Sequence, residues 1–393
     1  MSDLAIAATL SALVLLASVI SVEIGIASAI IELLFGVIAG SVFHIHGAAW
    51  LTFIASFGGI LLTFLAGTEV DIKLMKQQYK QSITIGTLSF LVPFVLIFWC
   101  AYGGLHWTLA ASKIAGIALS TTSLAVVYAI LIETGMASKQ LGKAIMAATF
   151  VTDFLTATAL SVLFAQFNVY TVLFIIASLL IIFFGPRFIK FFFRRYGNRV
   201  IEPETKLIFA IFFLLMFLSD IGKQQAILPV FILGLLLSGF FESHLRFNHK
   251  LRTIGYAIIT PFFFIKGGLN VSLAAVWGSL GTVLLLLVIK LGGKFLGVYP
   301  VAALSMPKRG RAFFTLLMST GLTFGTISST FGLQYHYITH QQFSVLIAVV
   351  IISAVAPTFI AQRFFSPLSE EAEERLVAVG EEGHELPQGA HNA

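Results

Sequence analysis

The sequence predicts an all-α polytopic membrane protein of about 13 transmembrane helices, arranged as two inverted five-helix repeats with one discontinuous helix in each. Composition is the first reason: 58% of the residues are hydrophobic and 11% charged. The mean hydropathy of +0.97 lies far outside the range of a soluble domain. Spacing is the second, because a window of about twenty residues separates thirteen apolar segments. The third is a pair of polar interruptions at matching places in the two halves.

The first segment, Leu4–Ile20, lacks a basic leader and a small-residue cleavage site, so it reads as a retained helix rather than a signal peptide. Ala27–Phe43 follows, carrying Glu32 near its start and Gly36 and Gly40 for close packing. Trp50–Glu69 and Ser82–Tyr102 are the third and fourth. The fifth, Ile114–Ile132, is broken by Ser120-Thr121-Thr122-Ser123, and the sixth, Leu141–Ala165, carries Asp153 near its middle. Tyr170–Phe193, Leu207–Leu218, Ala226–Phe241 and Ile254–Ile265 are segments seven to ten. Ala274–Tyr299 contains Lys290 and Lys294, and Ala312–Phe331 contains the second interruption, Ser319 to Thr326. Phe343–Phe364 closes the membrane region. The 39 Phe suit lipid-facing surfaces, and the single Cys, Cys100, excludes an internal disulfide.

Sidedness follows from the basic residues. Loops after the odd-numbered segments from three to eleven hold Lys73, Lys76, Lys80, Lys139, Lys143, Arg187, Lys190, Arg194, Arg195, Arg199, Lys206, Arg246, Lys250, Arg252, Lys308, Arg309 and Arg311. Opposite loops hold only Lys113, Lys223 and Lys266. The positive-inside rule puts the N-terminus outside and the C-terminus in the cytoplasm. The net charge of +6 reflects this asymmetry and gives no reason to expect nucleic-acid binding.

Non-helical backbone at membrane depth survives only where protein buries it or a hydrated cavity lies beside it. If segments two to six and nine to thirteen form opposed repeats, both interruptions fall in the fourth helix of a repeat, a pointer to a transporter binding site between discontinuous helices. Ser and Thr that merely bond backbone carbonyls within ordinary helices are the other reading. Asp153 adds to the first, since an acid at mid-helix costs about 2.5–3.5 kcal/mol on insertion scales and marks an ion or proton site by default. Near neutral pH such a carboxylate holds a proton or a small cation but not both, which is an exchange mechanism in itself. Thr152, the hydroxyls of Ser120, Thr121, Thr122 and Ser123, and carbonyls freed at the break supply further oxygens. That donor set suits Na+ or K+ at Asp153.

The stretches Phe57–Asp71, Glu32–Gly40, Ser120–Gly142 followed by Asp153, Pro261–Leu273, Gly292–Gly297 and Ser319–Ile327 resemble, in this order, bacterial monovalent cation/proton antiporters. The resemblance spans residues 27–364. It implies two discontinuous helices crossing at mid-membrane, a homodimer, and an elevator movement of a core domain. It divides the chain into a dimerisation domain (1–80 and 201–273), a core transport domain (81–168 and 274–365), a linker helix (169–200) and an acidic tail (366–393). Asp153 matches the family's cation- and proton-binding aspartate, and Lys294 matches its intramembrane lysine, with Lys290, one turn earlier, as the fallback. Thr320, Gly321 and Thr323 mark the second helix break. Electrogenic members carry two adjacent acids where this chain has Thr152-Asp153, so the lysine is present without its usual partner.

These readings together give exchange of a monovalent cation for a proton, electroneutral, in a bacterial inner membrane with lipid as the surroundings. No cofactor, enzyme activity or soluble regulatory domain is expected, for want of a phosphate-cradling glycine motif, a Cys/His metal cluster or nucleophile-triad spacing. A sodium-coupled symporter of a small organic anion is the alternative. An ion channel would require a continuous hydrated path. Glu69 and Asp71 read as interfacial, and His44, His46, His336 and His340 as solvated loop residues.

Overall fold

The computed structural model describes residues 2–365 except 44, 46–47, 71–78, 135, 137–138, 167, 198 and 305–307. All regular structure among the described residues is helical, and ten helices are long and apolar enough to cross a membrane. The protein is an integral membrane protein.

The first three segments are α1 (Asp3–Ile24), α2 (Ser28–Ser41) and α3 (Ala49–Thr68). Gly25, at φ 72°, adopts the left-handed cap that lets α1 turn back into α2, and its N–H bonds to Ser21 O. Segment four is α4 (Tyr79–Trp99), prolonged by a π-helical turn over Cys100–Gly104. Segment five is two half-helices, α5 (Leu109–Ser120) and α6 (Leu124–Glu133), and α7 (Gln140–Leu163) carries Asp153. α8 (Val169–Tyr196) starts with a reciprocal cap between Asn168 and Thr171 and leaves Phe183, Phe184 and Phe188 exposed. α9 (Pro203–Gly222) and α10 (Ile227–Ser243) follow.

Segment ten differs from the expected span. It starts at Leu245 as a polar helix, α11 (Leu245–Ile254), passes through a π-helical turn over Gly255–Ile259 and continues as α12 (Thr260–Leu269). Arg246, Lys250 and Arg252 lower the hydropathy of its first turns, so an apolar window finds only the second half. After the short α13 (Leu273–Gly278) come α14 (Leu280–Ala302), the half-helices α15 (Lys308–Met318) and α16 (Thr323–Gln334), and α17 (His340–Phe364).

Helix pairings recur between the halves: α4 packs on α5 and α7 as α14 packs on α15 and α17, and α2 meets α12 while α3 meets α10. α2, α3, α10 and α12 thus form one tightly packed group, and α4 to α7 with α14 to α17 another. Between the groups the main direct contacts are α10 on α7 and α12 on α16. Cavities occupy much of the remaining seam.

Close approach of α2 and α12 requires glycine on both sides. A Cβ on Gly268 would fall on the Leu33 carbonyl and 2.7 Å from Val37 N, and one on Gly36 would fall on the Ile265 carbonyl. Gly40 and Gly234 also face backbone, whereas Gly239 has nothing opposite it. Gly268→Ala therefore separates two backbones and costs about 1–3 kcal/mol. Thermal unfolding of the purified protein in detergent should show a lower midpoint for Gly268→Ala and no change for Gly239→Ala.

Candidate functional site

The two helix breaks meet in the interior. α5 ends at Ser120, and residues 121–123 run extended before α6; α15 ends at Met318, and residues 319–322 precede α16. Their free backbone groups satisfy each other: Ser123 N–H donates to Thr320 O at 3.0 Å, and Thr122 Oγ1 donates to Met318 O at 2.9 Å. Gly321 leaves room at the crossing for the Lys290 ammonium, since a Cβ there would lie 2.7 Å from Lys290 Nζ and 3.0 Å from Thr121 O. The crossing expected from the Ser/Thr/Gly runs is present, and its polar atoms are almost wholly buried.

Two lysines on α14 reach into it, both 0% exposed. Lys294 Nζ donates to Ser120 O at 2.6 Å, Ser89 Oγ at 2.9 Å and Thr122 Oγ1 at 3.1 Å. Those three bonds use all the protons of an ammonium group. Ser120 O is one of the orphan carbonyls at the negative end of α5, where a cation is favoured. Lys290 Nζ donates to Ser353 Oγ at 2.7 Å and lies beside Gly321 in the second break. Both the expected lysine and its fallback therefore sit at the crossing, each at a different break. Gly293, between them, is packed on Pro93 of α4, which brings this face of α14 against the core.

Asp153 is 2% exposed, and its Oδ1 is buried without a hydrogen-bond partner. It lines a cavity of about 110 Å³ in the seam between the two helix groups. Leu124 and Ala125 open α6, and Thr323 and Phe324 open α16; all four line the same cavity, so the positive ends of two half-helices flank the carboxylate. Ser28, Glu32, Glu69, Tyr256 and Thr260 face it from α2, α3 and segment ten. Thr152 is fully buried on α7, but its hydroxyl donates to Thr149 O at 2.7 Å and it does not line the cavity. Ser120 Oγ donates to Ile117 O in the last turn of α5, Thr121 Oγ1 to Thr122 O in the first break and Thr320 Oγ1 to Leu317 O in the last turn of α15, and Ser123 Oγ is buried and unpartnered. Of the expected helix-break residues, Thr323 alone lines the cavity beside Asp153.

Glu69, expected at the membrane interface, lines this cavity and a second of about 290 Å³ nearer the basic loops, where Arg252 holds it in an ion pair. A third cavity, about 590 Å³, opens on the opposite side of the seam, lined by Asp220, Lys266, Asn270 and Tyr335 among others. Phe231 of α10 stacks edge-on to Phe324, which lines the Asp153 cavity, with centroids 6.2 Å apart, and lies near Phe154 at 6.4 Å. Glu69 and Leu124 line both the Asp153 cavity and the one nearer the basic loops. His336 and His340 are exposed; His44, His46 and Asp71 lie outside the described residues.

Ser89 and Ser353, which take bonds from the lysines, and Glu32, Tyr256 and Thr260, which line the cavity, were missed as site residues by sequence reasoning. Single serines in apolar helices carry no signal of what they face. Glu32 and Arg252 carry one, a charge within an otherwise apolar or short helical segment.

Comparison with known proteins gives a consistent result. The family model described as "Sodium/hydrogen exchanger, transmembrane" matches residues 8–365. A probable Na+/H+ antiporter 3 of Methanocaldococcus jannaschii is 26% identical over 332 residues, covering 80% of this chain and 84% of that protein. An Na+/H+ antiporter of Enterococcus hirae is 25% identical over 362 residues, covering 88% and 93% respectively. Among solved structures, the sodium proton antiporter MjNhaP1 from M. jannaschii at pH 8 superposes with a TM-score of 0.68 at 15% identity, covering 92% of this chain and 97% of that one. At that identity the likeness concerns the fold.

Proposed function

We propose, from the premise that this chain belongs to the sodium/hydrogen exchanger family, that it exchanges Na+ or K+ for protons at Asp153, one for one, by an elevator movement of one helix group against the other. The observation that carries the reading is the buried, unpartnered Oδ1 of Asp153 facing a small cavity between the positive ends of two half-helices. A carboxylate so placed accepts a proton or a dehydrated monovalent cation, and either ligand blocks the other. Competition at one group couples the two fluxes without a second proton site.

Lys294 supports the one-for-one ratio. Its three bonds go to neutral acceptors fixed in α4 and the first break, so it keeps its partners whichever ligand Asp153 holds. The moving group then carries the same charge in both directions. Thr323, and carbonyls near the breaks, are the further oxygens in reach of an ion at Asp153; Thr152, Ser120, Thr121, Thr122 and Ser123 position the crossing rather than face the cavity.

The sparse direct contact between the helix groups, with separate cavities along their seam, supports alternating access: the core group slides so that Asp153 leaves the cavity it lines for the opposite one. By the positive-inside rule the basic face is cytoplasmic, in a bacterial inner membrane. The second group supplies a surface for a homodimer. A symporter of an organic anion finds no support. The relatives named above are antiporters by description, and about 110 Å³ is well below the roughly 300–1,000 Å³ of pockets for organic ligands.

Proteoliposomes with an internal pH dye test the proposal. A gradient of Na+ or K+ should move protons, at a rate unchanged when the membrane potential is clamped at zero or at −100 mV (about 2.3 kcal/mol per charge). A cation-dependent current would overturn the one-for-one ratio, and absence of cation-driven proton movement would overturn antiport.

A further inference from the structure

The exchange just described leaves Glu32 without a task. It lies on the second turn of α2, 3% exposed, with Ser28 hydrogen-bonded to its carboxylate. No Lys, Arg or His forms an ion pair with it among the described residues. A lone carboxylate buried this far costs several kcal/mol unless something compensates it. Glu32 lines the same cavity of about 110 Å³ as Asp153. The cavity is large enough for several waters, hence for one partly dehydrated cation.

The two acids belong to different helix groups. Asp153 is on α7, within the core group; Glu32 is on α2, which the facing glycines Gly36 and Gly268 lock onto α12. We infer that Glu32 is a second carboxylate ligand for the transported cation, a fixed subsite that shares the ion with Asp153 only while the cavity opens to the basic face. The inference rests on the assignment of Asp153 as the exchanging carboxylate. Asp153 Oδ1, buried and unpartnered in the same cavity, independently marks it as a place for a cation. Two carboxylates lining one cavity from different helix groups give a hard monovalent ion two anionic ligands, and Ser28 and Thr260 add hydroxyl oxygens to the same lining.

Movement of the core group removes Asp153 from this cavity and leaves Glu32 behind. The cation therefore binds more tightly from the basic face than from the opposite one, and Glu32 is the source of the difference. Glu69, also in the cavity, is already neutralised by Arg252 and does not serve the same purpose.

The test compares right-side-out with inside-out membrane vesicles, measuring the apparent KM for Na+ and for K+ at each face. For Glu32→Gln the KM at the basic face should rise about tenfold (roughly 1.4 kcal/mol), while the KM at the opposite face stays unchanged. Glu32→Asp, which keeps the charge, should give a smaller rise confined to the same face; it decides the matter if Glu32→Gln does not insert. An equal rise at both faces, no rise, or a fall in maximal rate alone would overturn the inference and leave Glu32 a packing residue. Asp153→Asn separates the two claims: if it still exchanges, the assignment of Asp153 fails, whereas a one-sided Glu32 defect tests Glu32 itself.

Discussion

Asp153→Asn should reduce cation-driven proton movement in proteoliposomes to the level of protein-free vesicles, with insertion and thermal stability of the purified protein retained. Asparagine has nearly the same shape, so the helix ends around the cavity keep their packing; what disappears is the group that alternates between proton and cation. The carboxylate is 2% exposed and lacks a bonding partner at Oδ1, so its removal leaves no stranded donor behind. In the native protein, acidification should raise the apparent KM for the cation without lowering the maximal rate, because protons and cations compete for one site. Pure loss of maximal rate on acidification would point to a separate regulatory proton, and residual exchange in Asp153→Asn would remove Asp153 from the mechanism.

Lys294→Met should produce the larger structural loss. Ser120 O, Ser89 Oγ and Thr122 Oγ1 all lose a charged donor in a buried place. A buried unsatisfied polar group costs about 1–3 kcal/mol, and the negative end of α5 loses its neutralising charge. Lys290→Met removes a donor from Ser353 Oγ only. Thermal unfolding in detergent should therefore rank native, Lys290→Met and Lys294→Met in falling order, and proton flux should fall furthest in Lys294→Met. A Lys294→Met protein as stable as the native one would mean that the first break is held by its contacts with the second alone.

Much of this architecture was legible in the sequence, because the bilayer imposes a length and a polarity on each crossing. Asp153 stands out against the apolar run around it, and the breaks stand out as Ser/Thr/Gly runs that no lipid-facing helix needs. The bonds between the breaks, by contrast, join residues almost two hundred positions apart, as Ser123 to Thr320, and nothing local announces them. Ser89 and Ser353 are of the same kind: each is a single hydroxyl whose meaning depends on a lysine from another helix. Segment ten was cut short because a hydropathy window averages away the charged start of α11, the part that delivers Arg252 to Glu69. Glu32 is visible as a charge in an apolar helix, but its place in the same cavity as Asp153 depends on the packing of α2 on α12, which sequence spacing does not give.

The closed set of bonds around Lys294 has a thermodynamic consequence. With the proposed one-for-one exchange and a lysine whose charge never leaves its acceptors, membrane voltage does no work on the cycle. The cation ratio such a protein can sustain is then limited by the pH difference alone, about tenfold for each pH unit. A cell whose membrane potential has collapsed would keep this exchanger running for as long as a pH difference remained. A polarised cell, in turn, could not use it to expel cations against their gradient when inside and outside had equal pH, however strong the potential.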